Sequence, residues 1–146
     1  MTSVINNKDW LILGQTFCNL RNDFRNHFYD RIKAVKKTRA FKFYDMYHNH
    51  FNKIAINLDN IILNYYPETV SEIDGVNIFD VFFNYHDSND ELKTNIDLKK
   101  EIEYFINLIT ERLKSFIKTN EFRKINRYLK LILKRLNKAI DKGYID

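Results

Sequence analysis

Apolar side chains recur every three or four positions along most of the chain, the spacing that puts them on one face of an α-helix. The first such stripe follows Asp9, a residue type suited to capping a helix N-terminus. A second stripe continues to a basic cluster at 36–39, where we expect the chain to turn. The stripes comprise Trp10, Leu13, Phe17 and Leu20, and then Phe24, Phe28, Ile32 and Val35. The pattern predicts amphipathic helices up to this turn.

A longer stripe with a period close to 3.6 occupies 43–65 and stops before Pro67, which restricts the backbone of the residue before it. Its members are Phe43, Tyr47, Phe51, Ile54, Leu58, Ile61, Ile62 and Tyr65. We expect an irregular connection over 67–75, then a short apolar helix from Val76 to Tyr85 and His86, and then a polar loop over 87–95.

Two further stripes predict a pair of long C-terminal helices, at 96–118 and 121–142. Asn120 is suited to cap the second helix, and Gly143 suits the left-handed position that often follows a helix end. The apolar positions are Leu98, Ile102, Phe105, Ile106, Ile109, Leu113, Phe116 and Ile117, and then Phe122, Ile125, Leu129, Ile132, Leu136 and Ile140.

Composition strengthens the helical interpretation. The 146 residues are 45% hydrophobic and 15% aromatic, which is enough for a substantial core. Three Gly and one Pro are too few for the turns of a many-stranded β fold. The sequence therefore predicts an all-α fold in a single domain spanning 1–146.

Charge and cysteine usage bear on partners and location. Although the net charge is +5, the basic residues interleave with apolar positions along the last helix and accompany no nucleic-acid-binding motif. This pattern favours the interpretation that the basic residues form a solvent-exposed helix face and not a nucleic-acid-binding site. Cys18 is the single cysteine and falls in an apolar stripe, which predicts a buried thiol in a reducing compartment. Without a signal-peptide pattern or an apolar run of about 20 residues, we expect a cytoplasmic protein with no membrane span.

Catalytic patterns are absent from the sequence. It has no Gly-rich phosphate loop, no His-Glu-x-x-His metal motif and no CxxC pair. His48 and His50 are two residues apart, so on a helix they point to different sides; we expect one surface and one half-buried histidine and no metal site. Asp45, Asp80 and Asp87 have no evident catalytic partner. We therefore expect a binding protein and not an enzyme.

The order of aromatic and histidine positions is more informative. Phe43 is followed seven residues later by His50 and four residues after that by Ile54, and His86 ends the predicted short helix. This order resembles the globins over the whole chain. The resemblance implies a globin-like fold of about six to eight helices with a long C-terminal helix pair. It also implies that Phe43 packs on haem, that His50 and Ile54 face the distal side, and that His86 ligates iron.

A narrower resemblance is to the sensor domains of sporulation histidine kinases and the small sporulation inhibitory proteins of spore-forming bacilli. The chain is similar to them in its globin length, in its pocket rich in Phe and Tyr, and in having no kinase or output region. The resemblance implies a globin-like sensor domain without haem that holds a fatty acid and a nearby halide ion, such as chloride. It also implies inhibition of sporulation by competition with a sensor histidine kinase for its signal.

A fatty-acid site needs an elongated apolar tunnel with one or two polar groups at its mouth. The expected wall consists of Phe43, Phe51, Ile54, Leu58, Phe82, Leu98, Ile102 and Phe105. The expected carboxylate donors are Tyr47, His50, Tyr85 or His86. The alternative for each of these residues is that its side chain only fills the core.

The C-terminal helices carry apolar residues outside their main stripes, namely Tyr104, Leu108, Tyr128 and Leu131. These residues predict a homodimer through the helices at 96–118 and 121–142, or else a wider intramolecular core.

Two other functions stay open at the level of sequence. One is a haem-binding globin for gas sensing or redox chemistry, with His86 as axial ligand. The other is a Bcl-2-like helical regulator, which the segments 74–77 and 116–122 resemble. In that family an Arg stands where this chain has Asp80, and a Trp stands where it has Ile78.

Overall fold

A computed structural model describes residues 7–34, 39–65, 72–73, 76–77, 81–82 and 93–142, with side chains described over 8–27, 45–64, 81–82 and 93–142. Within these ranges the protein is mostly helical, with one short β-ribbon, a turn at 81–82 and short non-helical segments before each of the last two α-helices. The helices are α1 (Asn7–Ala34), α2 (Arg39–Tyr65), α3 (Asn95–Arg112) and α4 (Asn120–Asp141), with a 3-10 turn at Lys114–Phe116. The strands β1 (Glu72–Ile73) and β2 (Val76–Asn77) pair antiparallel, with Glu72 opposite Asn77 and Ile73 opposite Val76.

The all-α expectation is confirmed for the described residues, but the expected helix number is wrong for them, because they contain four α-helices and not six to eight. The two N-terminal stripes form a single helix. Leu20 and Phe24 continue the four-residue spacing, and neither Gly nor Pro interrupts the sequence between them. The two stripes are therefore successive parts of one continuous helix face.

The expected short helix does not begin at Val76, because Val76 and Asn77 form β2. Ile73 and Val76 are β-branched residues, which favour strands. The dipeptide between them in the sequence, Asp74-Gly75, is of the type that favours a tight β-hairpin. The preference of these residues for a β-hairpin therefore outweighed the apolar spacing that predicted a helix from Val76.

Neither predicted N-cap residue lies at the cap position of its helix. Asp9 lies inside the first turn of α1 and not at its cap. Thr119, not Asn120, caps α4: its hydroxyl accepts a hydrogen bond from the backbone N–H of Phe122 at 3.2 Å. α3 begins with a capping box, in which the Thr94 hydroxyl accepts from the Asp97 N–H and the Asp97 carboxylate accepts from the Thr94 N–H, both at 3.1 Å. The backbone N–H of Thr94 holds the pKa of Asp97 below its usual value.

The far ends of the helices also differ in part from expectation. α2 ends at Tyr65, before Pro67, as predicted. α3 stops at Arg112 instead of 118, and the 3-10 turn at Lys114–Phe116 follows it. α4 ends at Asp141, while Gly143 lies outside the described residues.

The four helices enclose a common core. α1 packs on α2 and α3, and α4 packs on the same two helices. Every helix therefore contributes its apolar stripe to one buried cluster. Among the described helices, none combines the length and the apolar character that crossing a membrane requires.

Residues 81–82 are fastened to α1. A Cβ at Gly14 would lie 2.6 Å from the Val81 Cβ, so only glycine permits this approach. One turn further along α1, the buried Cys18 donates its thiol hydrogen to the Val81 carbonyl at 3.3 Å. The prediction of a buried thiol is thus confirmed, and the contact brings Phe82 into the core.

Candidate functional site

Most of the predicted tunnel wall lies in the core of the molecule. Tyr47 is 2% exposed and Phe51 is 1% exposed, and the other buried members are fully enclosed. Those members are Ile54, Leu58, Phe82, Leu98, Ile102 and Phe105. Phe43 belongs to α2, but its side chain lies outside the described set, as do Tyr85 and His86 altogether. The structure therefore brings the described wall residues into one core.

Two aromatic residues of α1 organise this core. The ring of Phe17 contacts the rings of Phe51, Phe82 and Phe105 at centroid distances of 5.9, 6.1 and 5.7 Å. Phe24 contacts Tyr47 at 5.0 Å and Phe51 at 5.1 Å, both edge to face. The sequence predicted both α1 residues as core positions but did not connect them with the site, because spacing along one helix does not show which helix lies opposite.

Tyr47 and His50 form the polar edge of the aromatic core. They are three residues apart on α2, so they lie on the same side of the helix. Burial raises the pKa of the Tyr47 hydroxyl well above its usual value, against the opposing effect of Arg135. Burial also lowers the pKa of His50, with Lys53 and Arg135 adding to the effect. Both groups are therefore neutral hydrogen-bonding groups at neutral pH.

His50 has unused hydrogen-bonding capacity. The structure confirms that His50 is half-buried and that His48 is exposed. The Nδ1 atom of His50 is buried and has no hydrogen-bond partner among the described residues. Leaving such an atom unsatisfied costs about 1–3 kcal/mol, so a ligand that bonds to it gains affinity.

Cations surround this polar edge on the seam between α2 and α4. The His50 ring lies 5.2 Å from the Tyr128 ring. Lys53 Nζ lies 5.4 Å from the centroid of Tyr128, and the Arg127 guanidinium carbon lies 5.2 Å from it. Together with Arg135, these cations create a positive potential beside two neutral groups, which favours an anion.

A second candidate site lies in a cleft between α1 and α3, with a volume of about 420 Å³. Its lining includes Leu20 and Asp23 of α1 and Lys100, Glu101 and Tyr104 of α3. Asp23 is 8% exposed, and its carboxyl lies close to that of Glu101. Burial, together with this neighbouring carboxyl, raises the pKa of Glu101 to about 8. This pair was not predicted from the sequence, although Asp23, an acidic residue beside the stripe position Phe24, was a signal.

A fully buried histidine lies one turn beyond Asp23. His27 Nδ1 donates to the Lys93 carbonyl, and His27 Nε2 lies 2.8 Å from the Asn95 side-chain oxygen. The ring therefore joins α1 to the start of α3, the two helices that form the cleft.

In the part of the chain that the structure describes, no three His, Cys, Asp or Glu residues are grouped so as to hold a metal ion. No protein-family model matches the chain, and neither a curated protein nor a solved structure matches it.

Proposed function

We propose that the protein is a haem-free, globin-like sensor module that binds a fatty acid, with the carboxylate at the α2–α4 seam. One observation carries the proposal: the buried, unpartnered Nδ1 of His50 lies on a seam whose cations include Lys53 and Arg135. A carboxylate offers both the hydrogen-bond acceptor and the negative charge that this arrangement lacks.

The adjoining core supplies the apolar part of the site. The rings of Phe24 and Phe51 continue directly from Tyr47 into the interior. Burying about ten methylene groups at roughly 0.8 kcal/mol each gives about 8 kcal/mol before ordering costs. The ligand's chain replaces contacts between aromatic rings, so binding requires these rings to rearrange.

The proposed biological role follows the resemblance to sporulation inhibitory proteins. The protein sequesters a signal that a sensor histidine kinase would otherwise bind, and a halide ion competes for the same cations. The proposal includes a homodimer through α3 and α4, for which the exposed Tyr104 and Leu131 provide apolar surface. Tyr128 is already engaged with His50, which supports the alternative of a wider core at that position.

Calorimetric titration of the delipidated protein with a medium-chain fatty acid tests the proposal. We expect micromolar binding of the acid and at least about tenfold weaker binding of the matching primary alcohol, because the alcohol lacks the charge. Arg135→Gln should weaken binding of the acid by about tenfold without affecting the alcohol.

The matched control is Lys138→Gln, which removes another exposed cation of α4. It should leave the affinity unchanged within about twofold. No uptake of either ligand by the wild-type protein would reject the fatty-acid function. A Soret band in the protein as purified would instead favour the haem-binding alternative.

A further inference from the structure

The contact between Asp23 and Glu101 joins two helices at the floor of the cleft. Asp23 belongs to α1 and Glu101 to α3; both line the cleft, and their carboxyls lie close enough to share a hydrogen bond if one of them carries a proton. Two ionised carboxylates have no hydrogen to share, so this hydrogen bond exists only while the pair holds a proton. The Oε2 atom of Glu101 is buried and has no hydrogen-bond donor among the described residues.

The surrounding charges do not replace that proton. Lys93 Nζ lies 3.9 Å from Glu101 Oε1, at the limit of an ion pair, and has a partly exposed side chain. Asp97 adds negative charge one turn before Glu101 on α3, and Lys100 is the cation of α3 that lines the cleft. On α1, Arg21 is directed away, to the Asn52 side-chain oxygen of α2 at 2.6 Å.

We infer that the Asp23–Glu101 pair is a proton-dependent latch between α1 and α3, which opens the cleft when the shared proton is lost. With the proton present, the carboxyls bond to each other across the interface. Without it, two negative charges face each other with one oxygen already buried, and separation of the helices lets water reach both. The inference is independent of the proposed fatty-acid function.

The direction of the pH dependence follows from the raised pKa of Glu101. In the unfolded chain the Glu101 carboxyl has its ordinary pKa of 4.5, whereas in the folded protein its pKa is about 8. Between these values the folded protein holds a proton that the unfolded chain releases. The contribution of the pair to stability is therefore complete below the lower value, falls as pH rises, and is lost above about 8.

Hydrogen exchange of the full chain, corrected for intrinsic rates, tests the latch. We expect the protection of α3 amides around Glu101 to fall by about tenfold between about pH 6 and about pH 9.5. Carboxyl carbon NMR over the same range should show Glu101 titrating near 8. Exchange unchanged with pH in the wild-type protein, despite that titration, would overturn the inference.

Two variants and a control separate the pair from general effects of pH. Glu101→Gln and Asp23→Asn each leave an uncharged partner, so α3 should stay protected at both ends of the pH range. Glu103→Gln removes an exposed carboxyl of the same helix and should retain the wild-type loss of protection. A pH response that survives in Glu101→Gln, or disappears in Glu103→Gln, would also overturn the latch.

Discussion

At the scale of single residues, several side chains have roles that their chemical type does not suggest. Gly14 lies within an α-helix, where glycine is normally destabilising by about 0.5–1 kcal/mol relative to alanine. Here its missing side chain leaves room for Val81. His27 and Asp23, although polar, are buried on α1 because each has a partner at α3.

Gly14→Ala should therefore destabilise the protein, contrary to the usual effect in a helix. The new Cβ would lie 2.6 Å from the Val81 Cβ and 2.8 Å from the Val81 carbonyl oxygen. We expect a loss of about 1–3 kcal/mol in the free energy of unfolding, measured by urea denaturation. Gln15→Ala, at the next and exposed position, is the control and should change stability by less than about 0.5 kcal/mol. Equal or greater stability of Gly14→Ala would show that residues 81–82 are not fastened at α1.

At the scale of elements, the apolar spacing predicted the interiors of the long helices, and local hydrogen bonds set their ends. Trp10, Leu13, Phe17 and Leu20 all face the core, as their stripe predicts. The ends were predicted less well. Thr119 and Asn120 are adjacent and both suit an N-cap, so the sequence alone does not decide which of the two caps α4.

The variant Thr119→Ala tests whether Thr119 is the N-cap of α4. It removes the hydroxyl that accepts from the Phe122 N–H, so the free energy of unfolding should fall by about 1 kcal/mol. Asn120→Ala should be nearly neutral, because Asn120 is the first helical residue and is exposed. Thermal melts of both variants measure the difference. A larger loss in Asn120→Ala would mean that α4 begins one residue later.

At the scale of the whole molecule, contacts between distant segments determine how the helices are arranged. The start of α1 is joined to the end of α3, where Arg112 donates to the Asp9 carboxylate at 2.6 Å. Further along α1, His27 joins it to the start of α3. The two helices thus run antiparallel with the carboxyl pair between these connections.

Arg112→Ala should lower the free energy of unfolding by less than about 1 kcal/mol, because both partners are partly exposed. A double-mutant cycle with Asp9→Ala measures the coupling, which should be mostly lost in about 1 M salt. Glu111→Ala serves as a control at the neighbouring exposed position. A coupling above about 2 kcal/mol, or one insensitive to salt, would contradict a solvent-screened pair.

The sequence by itself determined the helical class, the buried stripes and the end of α2 before Pro67, because periodicity and proline act within a few residues. It also indicated Tyr47 and His50 as polar groups beside an aromatic core. Only the tertiary structure decided that Arg135 approaches them and that Asp23 meets Glu101. Both are contacts between different helices. The spacing of residues along one helix carries no information about which other helix packs against it.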